Sequence, residues 1–123
     1  MRVSVMVLGD PAVSSAWQLA LRMLEMAHQR GNLLDTVFLY HTGTYAALNQ
    51  NLDLSIYQRW SHLHTNAGLS CVVCKTALSR MGIPWELHAP FRPGGLADWL
   101  AACERSDRVL RFGTLRSLVG PAK

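Results

Sequence analysis

Two of the three cysteines in this chain, Cys71 and Cys74, lie three residues apart in the stretch GLSCVVCKTALSRMG, residues 68–82, with Lys75 directly after the second. Such a pair can serve as part of a metal site, as a dithiol redox centre, or as one working thiol beside one buried cysteine. A structural zinc site needs about four ligands, commonly from two such pairs. Here a single C-x-x-C is accompanied by an isolated Cys103 and no H-x-x-x-H, so zinc is poorly served. A thioredoxin-like dithiol places both cysteines on a turn and the first helical residues. Val72 and Val73 instead prolong a strand, which leaves Cys71 in the sheet as a small buried hydrophobe. Cys74 falls where strand gives way to helix. Free backbone N–H groups, the helix dipole and the Lys75 charge favour a thiolate there, the form that nucleophilic sulfur chemistry requires. The residues alone leave a dithiol, and a pair of inert packing cysteines, open beside this single-thiol reading.

The elements that must position these residues alternate. Arg2 to Leu8 reads as a buried strand ended by Gly9-Asp10-Pro11,. Ser14 and Ser15 are N-cap candidates for a helix running to about Arg30, with Trp17, Leu21 and Leu24 at helical spacing and Gly31 as its stop,. A second strand covers Asp35 to His41, and a short helix is expected over Tyr45 to Gln50. Ile56, Trp60, Leu63 and Ala67 mark one face of a helix from Leu54 to Asn66, closed by Gly68,. Leu69 to Val73 is the third strand and Cys74 to Met81 the helix after it. A short fourth strand is placed within Gly82 to His88, and Pro90 to Gly95 reads as a loop into the helix Leu96 to Arg105,. Asp107 to Phe112 is the last strand, and the tail after Gly113 has no strong pattern.

Strands alternating with helices over 123 residues imply one domain with a mostly parallel five-stranded sheet covered by helices on both faces,. Working groups in such sheets gather outside the carboxyl ends of the strands. Parallel strands therefore bring the loop with Asp10, the segment with Tyr40, His41 and Tyr45, and the Cys74 seam to one edge. Packing or subunit contact is the simpler duty for the aromatic residues, and helix capping for Ser14.

Composition narrows the classes. Charged residues are 16% of the chain and mean hydropathy is +0.10, values that suggest a surface partly covered by another subunit. The formal charge of +4 comes from scattered arginines and lysines, so no polybasic tract points to nucleic acid or to a membrane surface. No run approaches the roughly 18 apolar residues of a membrane span. An odd number of cysteines without a secretory leader points to thiols kept reduced in a cytoplasm. The first loop, GDPAVSS, lacks a G-x-G-x-x-G or Walker pattern, which leaves a nucleotide cradle unsupported,.

Taken together, "SSAWQLALRMLEMAHQRG", "VFLYHTGTYAALNQ", the helix around Trp60, "GLSCVVCKTALSRMG" and "GGLADWLAACERSDRVLRF" resemble, in order and spacing, the DsrE family of sulfur-relay proteins, its TusD-type subunits above all. The resemblance implies a small flavodoxin-like α/β domain over residues 1–123. It implies a persulfide-accepting thiol at Cys74, with no family role for Cys71 or Cys103 and no cofactor. Lys75, Tyr40, His41, Tyr45 and Asp10 are then the candidates around the substrate. Partners implied are other DsrE-family subunits (TusB/TusC-like or DsrF/DsrH-like), a TusA-like sulfur donor and a TusE/DsrC-like acceptor, serving tRNA 2-thiouridine synthesis or sulfur oxidation. A silent assembly subunit in which the cysteine is incidental is the competing reading.

Overall fold

The computed structural model describes residues 1–48, 54–80, 82 and 85–114. Five strands form one sheet: β1 (Arg2–Val7), β2 (Leu33–Leu39), β3 (Ser70–Cys74), β4 (Arg92–Gly94) and β5 (Arg108–Phe112). Their order is β4-β3-β2-β1-β5, and every neighbouring pair is parallel. Four α-helices accompany them: α1 (Ala16–Gln29), α2 (Leu54–Ala67), α3 (Lys75–Ser79) and α4 (Leu96–Arg105), with a 3-10 helix at His41–Ala47.

The order explains the layers. Right-handed crossovers from β1 to β2 and from β2 to β3 advance in one direction and set α1 and α2 on one face. The return from β4 to β5, past β3, β2 and β1, sets α4 on the other. Strand side chains alternate accordingly. Val5, Val7, Val37, Leu39, Cys71 and Val73 meet Trp17, Leu21 and Leu24 of α1 and Tyr57, Trp60 and Leu63 of α2. Phe38, Val72 and Cys74 meet Trp99 and Ala102 of α4, where Phe38 and Trp99 stack with centroids 5.8 Å apart.

The helix ends follow their local chemistry. Gly31, at φ +85°, ends α1 in a Schellman motif: its N–H donates to the His28 carbonyl and that of Asn32 to the Ala27 carbonyl, each at 3.0 Å,. At the other end the N-cap is Ser15, whose side chain makes no capping hydrogen bond, and the Ser14 hydroxyl, one residue earlier, accepts from the Ala16 N–H at 3.2 Å.

Several boundaries differ from the sequence reading. The edge strand beside β3 is Arg92–Gly94, inside the stretch read as a loop. Pro93 is accepted there because an edge strand leaves one side of its ladder unpaired. In the segment from Gly82 to His88, where a strand was expected, Leu87 makes an isolated antiparallel bridge to Leu48; Ile83 and Pro84 lie outside the described residues. The helix expected from Tyr45 starts at His41 as a 3-10 helix and ends at Ala47, Asn49 and Gln50 lying outside the described residues, as does Met81 beyond α3. Among the described residues no helix is long and apolar enough to cross a membrane.

Candidate functional site

Cys74 is both the last residue of β3 and the residue before the first turn of α3. Because strand side chains alternate, a three-residue separation puts Cys71 and Cys74 on opposite faces of the sheet: Cys71 in the α1/α2 layer, Cys74 in the α4 layer,. A motif that reads as a pair along the chain is thus divided by the sheet. Cys71 is 1% exposed and its Sγ lies 3.8 Å from the Leu69 carbonyl. Burial pushes its thiol up to about 12, against a smaller pull downward from the Arg92 charge,. Cys103 packs on the α4 side as Cys74 does, but about two helical turns beyond Leu96,.

Cys74 is 2% exposed, and its remaining access is to a cavity of about 640 Å³ at the carboxyl edge of the sheet. Tyr40, His41, Thr42 and Tyr45 contribute from the segment after β2, Thr76 and Ala77 of α3 and Arg80 just past its end from another, and Leu96 of α4 completes the lining. The first segment is held rigidly. Tyr40 donates its N–H to the Val7 carbonyl at 3.0 Å and stacks on Phe38. His41 then turns the chain out of the strand at φ +53°, a left-handed conformation in which non-glycine residues are uncommon and which recurs at functional sites. The Thr44 hydroxyl donates to the His41 carbonyl at 2.8 Å, fixing the turn. Gly43 is required there, since a Cβ would collide with the Val7 carbonyl oxygen,.

Among the described residues no carboxylate lines the cavity, whereas Arg80 brings a permanent positive charge to it,. Its guanidinium makes no hydrogen bond or ion pair among the described residues.

Of the residues singled out in the sequence, Tyr40, His41 and Tyr45 are therefore brought together with Cys74, and two others are not. Lys75 is exposed and outside the lining. Asp10 uses its carboxylate to accept the Ala12 N–H at 2.9 Å and its carbonyl to accept those of Val13 and Ser14, closing the first loop. Thr42, Thr76, Ala77, Arg80 and Leu96 went unnoticed. The signal for Arg80 was the helical period, which carries the face of Thr76 to Arg80 one turn later and turns Lys75 away. Among the described residues, no three His, Cys, Asp or Glu side chains converge as metal ligands.

An all-parallel five-stranded sheet with a cysteine at the carboxyl end of a central strand, opening on a cavity, defines a small three-layer α/β protein with a thiol site. The same fold is found in the crystal structure of the ychN protein of E. coli, at a TM-score of 0.70 and 24% identity over 91% of this chain and all of that one. A protein of unknown function from Methanobacterium thermoautotrophicum shares it at a TM-score of 0.65 and 16% identity, over 89% of this chain and 97% of that one. Residues 1–112 match the DsrE/DsrF-like family, and the chain belongs to that family. DsrE of Allochromatium vinosum is 32% identical to it over 118 residues, 83% of this chain and 88% of the relative. Sulfurtransferase TusD of Cronobacter sakazakii is 27% identical over 129 residues, 91% of this chain and the whole of the relative.

Proposed function

We propose that the protein is a sulfur-relay sulfurtransferase that accepts a sulfane sulfur on Cys74 and passes it to an acceptor thiol. The observation that carries this reading is the placement of Cys74 as the thiol of the carboxyl-edge cavity, while Cys71 is sealed in the opposite layer. The names of the DsrE and TusD relatives support it. In the loading step the Cys74 thiolate attacks the terminal sulfur of a donor R–S–SH. The new S–S bond forms as the donor's S–S bond breaks, the electron pair leaves on R–S⁻, and the proton stays with the transferred sulfur. In the unloading step an acceptor thiolate attacks the outer sulfur of Cys74–S–SH and Cys74 leaves as thiolate. Both are thiol exchanges governed by thiolate fraction and access, with no net oxidation and no need of a metal or organic cofactor. Tyr40, His41 and Tyr45 wall the reacting sulfur, and a cavity that leaves Cys74 so little exposed shields the persulfide from water and oxidants.

The family resemblance extends the proposal to assembly with other DsrE-type subunits, and to a TusA-like donor and a TusE/DsrC-like acceptor in a cytoplasmic tRNA-thiolation or sulfur-oxidation route. Exposed Leu96, Leu100 and Val109 offer apolar surface for such contacts,. The burial of Cys74 favours one rival, a silent assembly subunit. A persulfide donor offered to purified protein, followed by intact-mass spectrometry of wild type, Cys74→Ser and Cys71→Ser, separates the readings. One added sulfur on wild type and Cys71→Ser, and none on Cys74→Ser, supports the relay. No loading of any form supports the scaffold, and loading that needs both cysteines supports a dithiol.

A further inference from the structure

We infer that Arg80 is the anion anchor of the Cys74 cavity, selecting a sulfur donor that carries a carboxylate beside its persulfide; this rests on the relay reading above. Three observations converge on it. Arg80, the residue that ends α3, lines the same cavity as Cys74 from one turn beyond Thr76. Its guanidinium is left without a hydrogen bond or ion pair among the described residues. And among the described residues no Asp or Glu lines the cavity, so none of them competes for it.

The chemistry gives this cation a task. The attacking Cys74 is an anion, the departing donor is a thiolate, and a donor carboxylate adds a further negative charge. Bringing these together in a confined space is repulsive unless a fixed cation lies within reach. Arg80 supplies it, with a planar fork that matches a carboxylate in two parallel hydrogen bonds. Lys75, the neighbour of Cys74 in sequence, does not line the cavity, and His41 reaches it from the segment after β2 instead of from the α3 side. The donor side chain is therefore held against α3 while its outer sulfur meets Cys74. The carboxylate can belong to a small thiol or to a polypeptide that presents an acidic residue beside its cysteine persulfide.

The test uses two donors that differ in one charge, N-acetylcysteine persulfide and N-acetylcysteine amide persulfide, with the loading rate of Cys74 followed by quenched intact-mass measurements. Wild type is expected to load the carboxylate donor about fivefold faster at low salt, the upper end for an exposed ion pair, with the preference shrinking as ionic strength rises. Arg80→Gln should lose the preference, slowing the carboxylate donor more than the amide donor until the two load at similar rates, and Arg80→Lys should retain part of it. A peptide persulfide flanked by Glu or by Gln repeats the comparison. A larger charge preference there than for the small pair assigns the donor to a polypeptide, and an equal or smaller one to a small thiol. Equal wild-type rates for both charges, or an undiminished preference in Arg80→Gln, overturn the role of Arg80 and leave the relay intact. Failure of wild type to load either donor overturns both.

Discussion

The two ends of the sheet treat polar groups in opposite ways. At the amino end Asp35, with a side chain 6% exposed, is met on every side. Arg105 donates from Nε to Oδ2 at 3.0 Å and from Nη2 to Oδ1 at 2.8 Å, Arg2 donates to Oδ2 at 3.2 Å, and the Thr36 hydroxyl donates to Oδ1 at 2.8 Å. Nearby, the hydroxyls of Ser4 and Ser106 share a hydrogen bond of 2.7 Å, and Asp107 accepts the Arg2 N–H at 2.8 Å. At the carboxyl end a guanidinium without a partner among the described residues faces a cavity, a histidine is held at positive φ, and a thiol opens onto the same space. Satisfied groups tie β1, β2, α4 and β5 together; unsatisfied ones remain available to a visitor. On the proposed function the first end serves stability and the second chemistry, and variants at each should separate the two.

The largest separation is expected from Cys74→Ser, which should abolish persulfide loading in mass spectrometry while leaving Tm within a few degrees of wild type. Asp35→Ala should do the reverse. It removes a buried, charge-assisted cluster at a cost of about 2 kcal/mol, read as a lower urea midpoint, and Cys74 loading should persist under folding conditions.

The same contrast has a pH signature. Hydrogen bonds from Arg105 foremost, then from Thr36 and Arg2, hold the Asp35 carboxyl below its ordinary value of 3.8 despite the opposing effect of burial. A depressed folded value means the unfolded chain takes up the proton first. The stabilisation is therefore fully present above about 3.8 and is lost as pH falls through the folded value. Urea midpoints of wild type and Asp35→Asn should differ most near neutrality and converge in that acid window; a gap that does not narrow there would show that the pair contributes nothing through charge.

A smaller effect is expected at His41. His41→Val places a β-branched residue at positive φ and should cost about 1–2 kcal/mol in thermal unfolding. His41→Gly relieves the backbone and should stay within about 1 kcal/mol of wild type. Equal costs for both would mean that the side chain, rather than the backbone conformation, determines stability at this turn. Smallest of all, Cys71→Ala should leave the loading rate unchanged, and in wild type Cys71 should resist iodoacetamide until the fold is opened, in keeping with a thiol pushed up to about 12,.

Most of the fold was legible because it is written locally. Valine-rich runs, the Trp17-Leu21-Leu24 and Ile56-Trp60-Leu63 spacings, and the stops at Gly31 and Gly68 each depend on a few neighbouring residues, and they locate β1, α1, β2, α2 and β3 to within a residue or two,. The seam at Cys74 was legible for the same reason. What misled the reading was non-local or a matter of parity. The β4 segment Arg92-Pro93-Gly94 carries no strand signal of its own and is a strand because β3 offers it an open edge. The opposite orientation of Cys71 and Cys74 follows from the two-residue period of a strand, yet it acquires meaning only when both faces of the sheet are seen to be covered.

The sequence by itself determined the alternation of strand and helix and a cysteine at the carboxyl end of a strand, since backbone propensity and apolar spacing act over a turn or two. Only the tertiary structure decided which charged side chain shares a cavity with Cys74. Lys75 is adjacent along the chain and turned out to solvent, whereas Arg80, together with Tyr40 and His41 from a distant strand end, reaches the cavity. Proximity in space is set by helix rotation and strand pairing, not by the count of residues between two side chains.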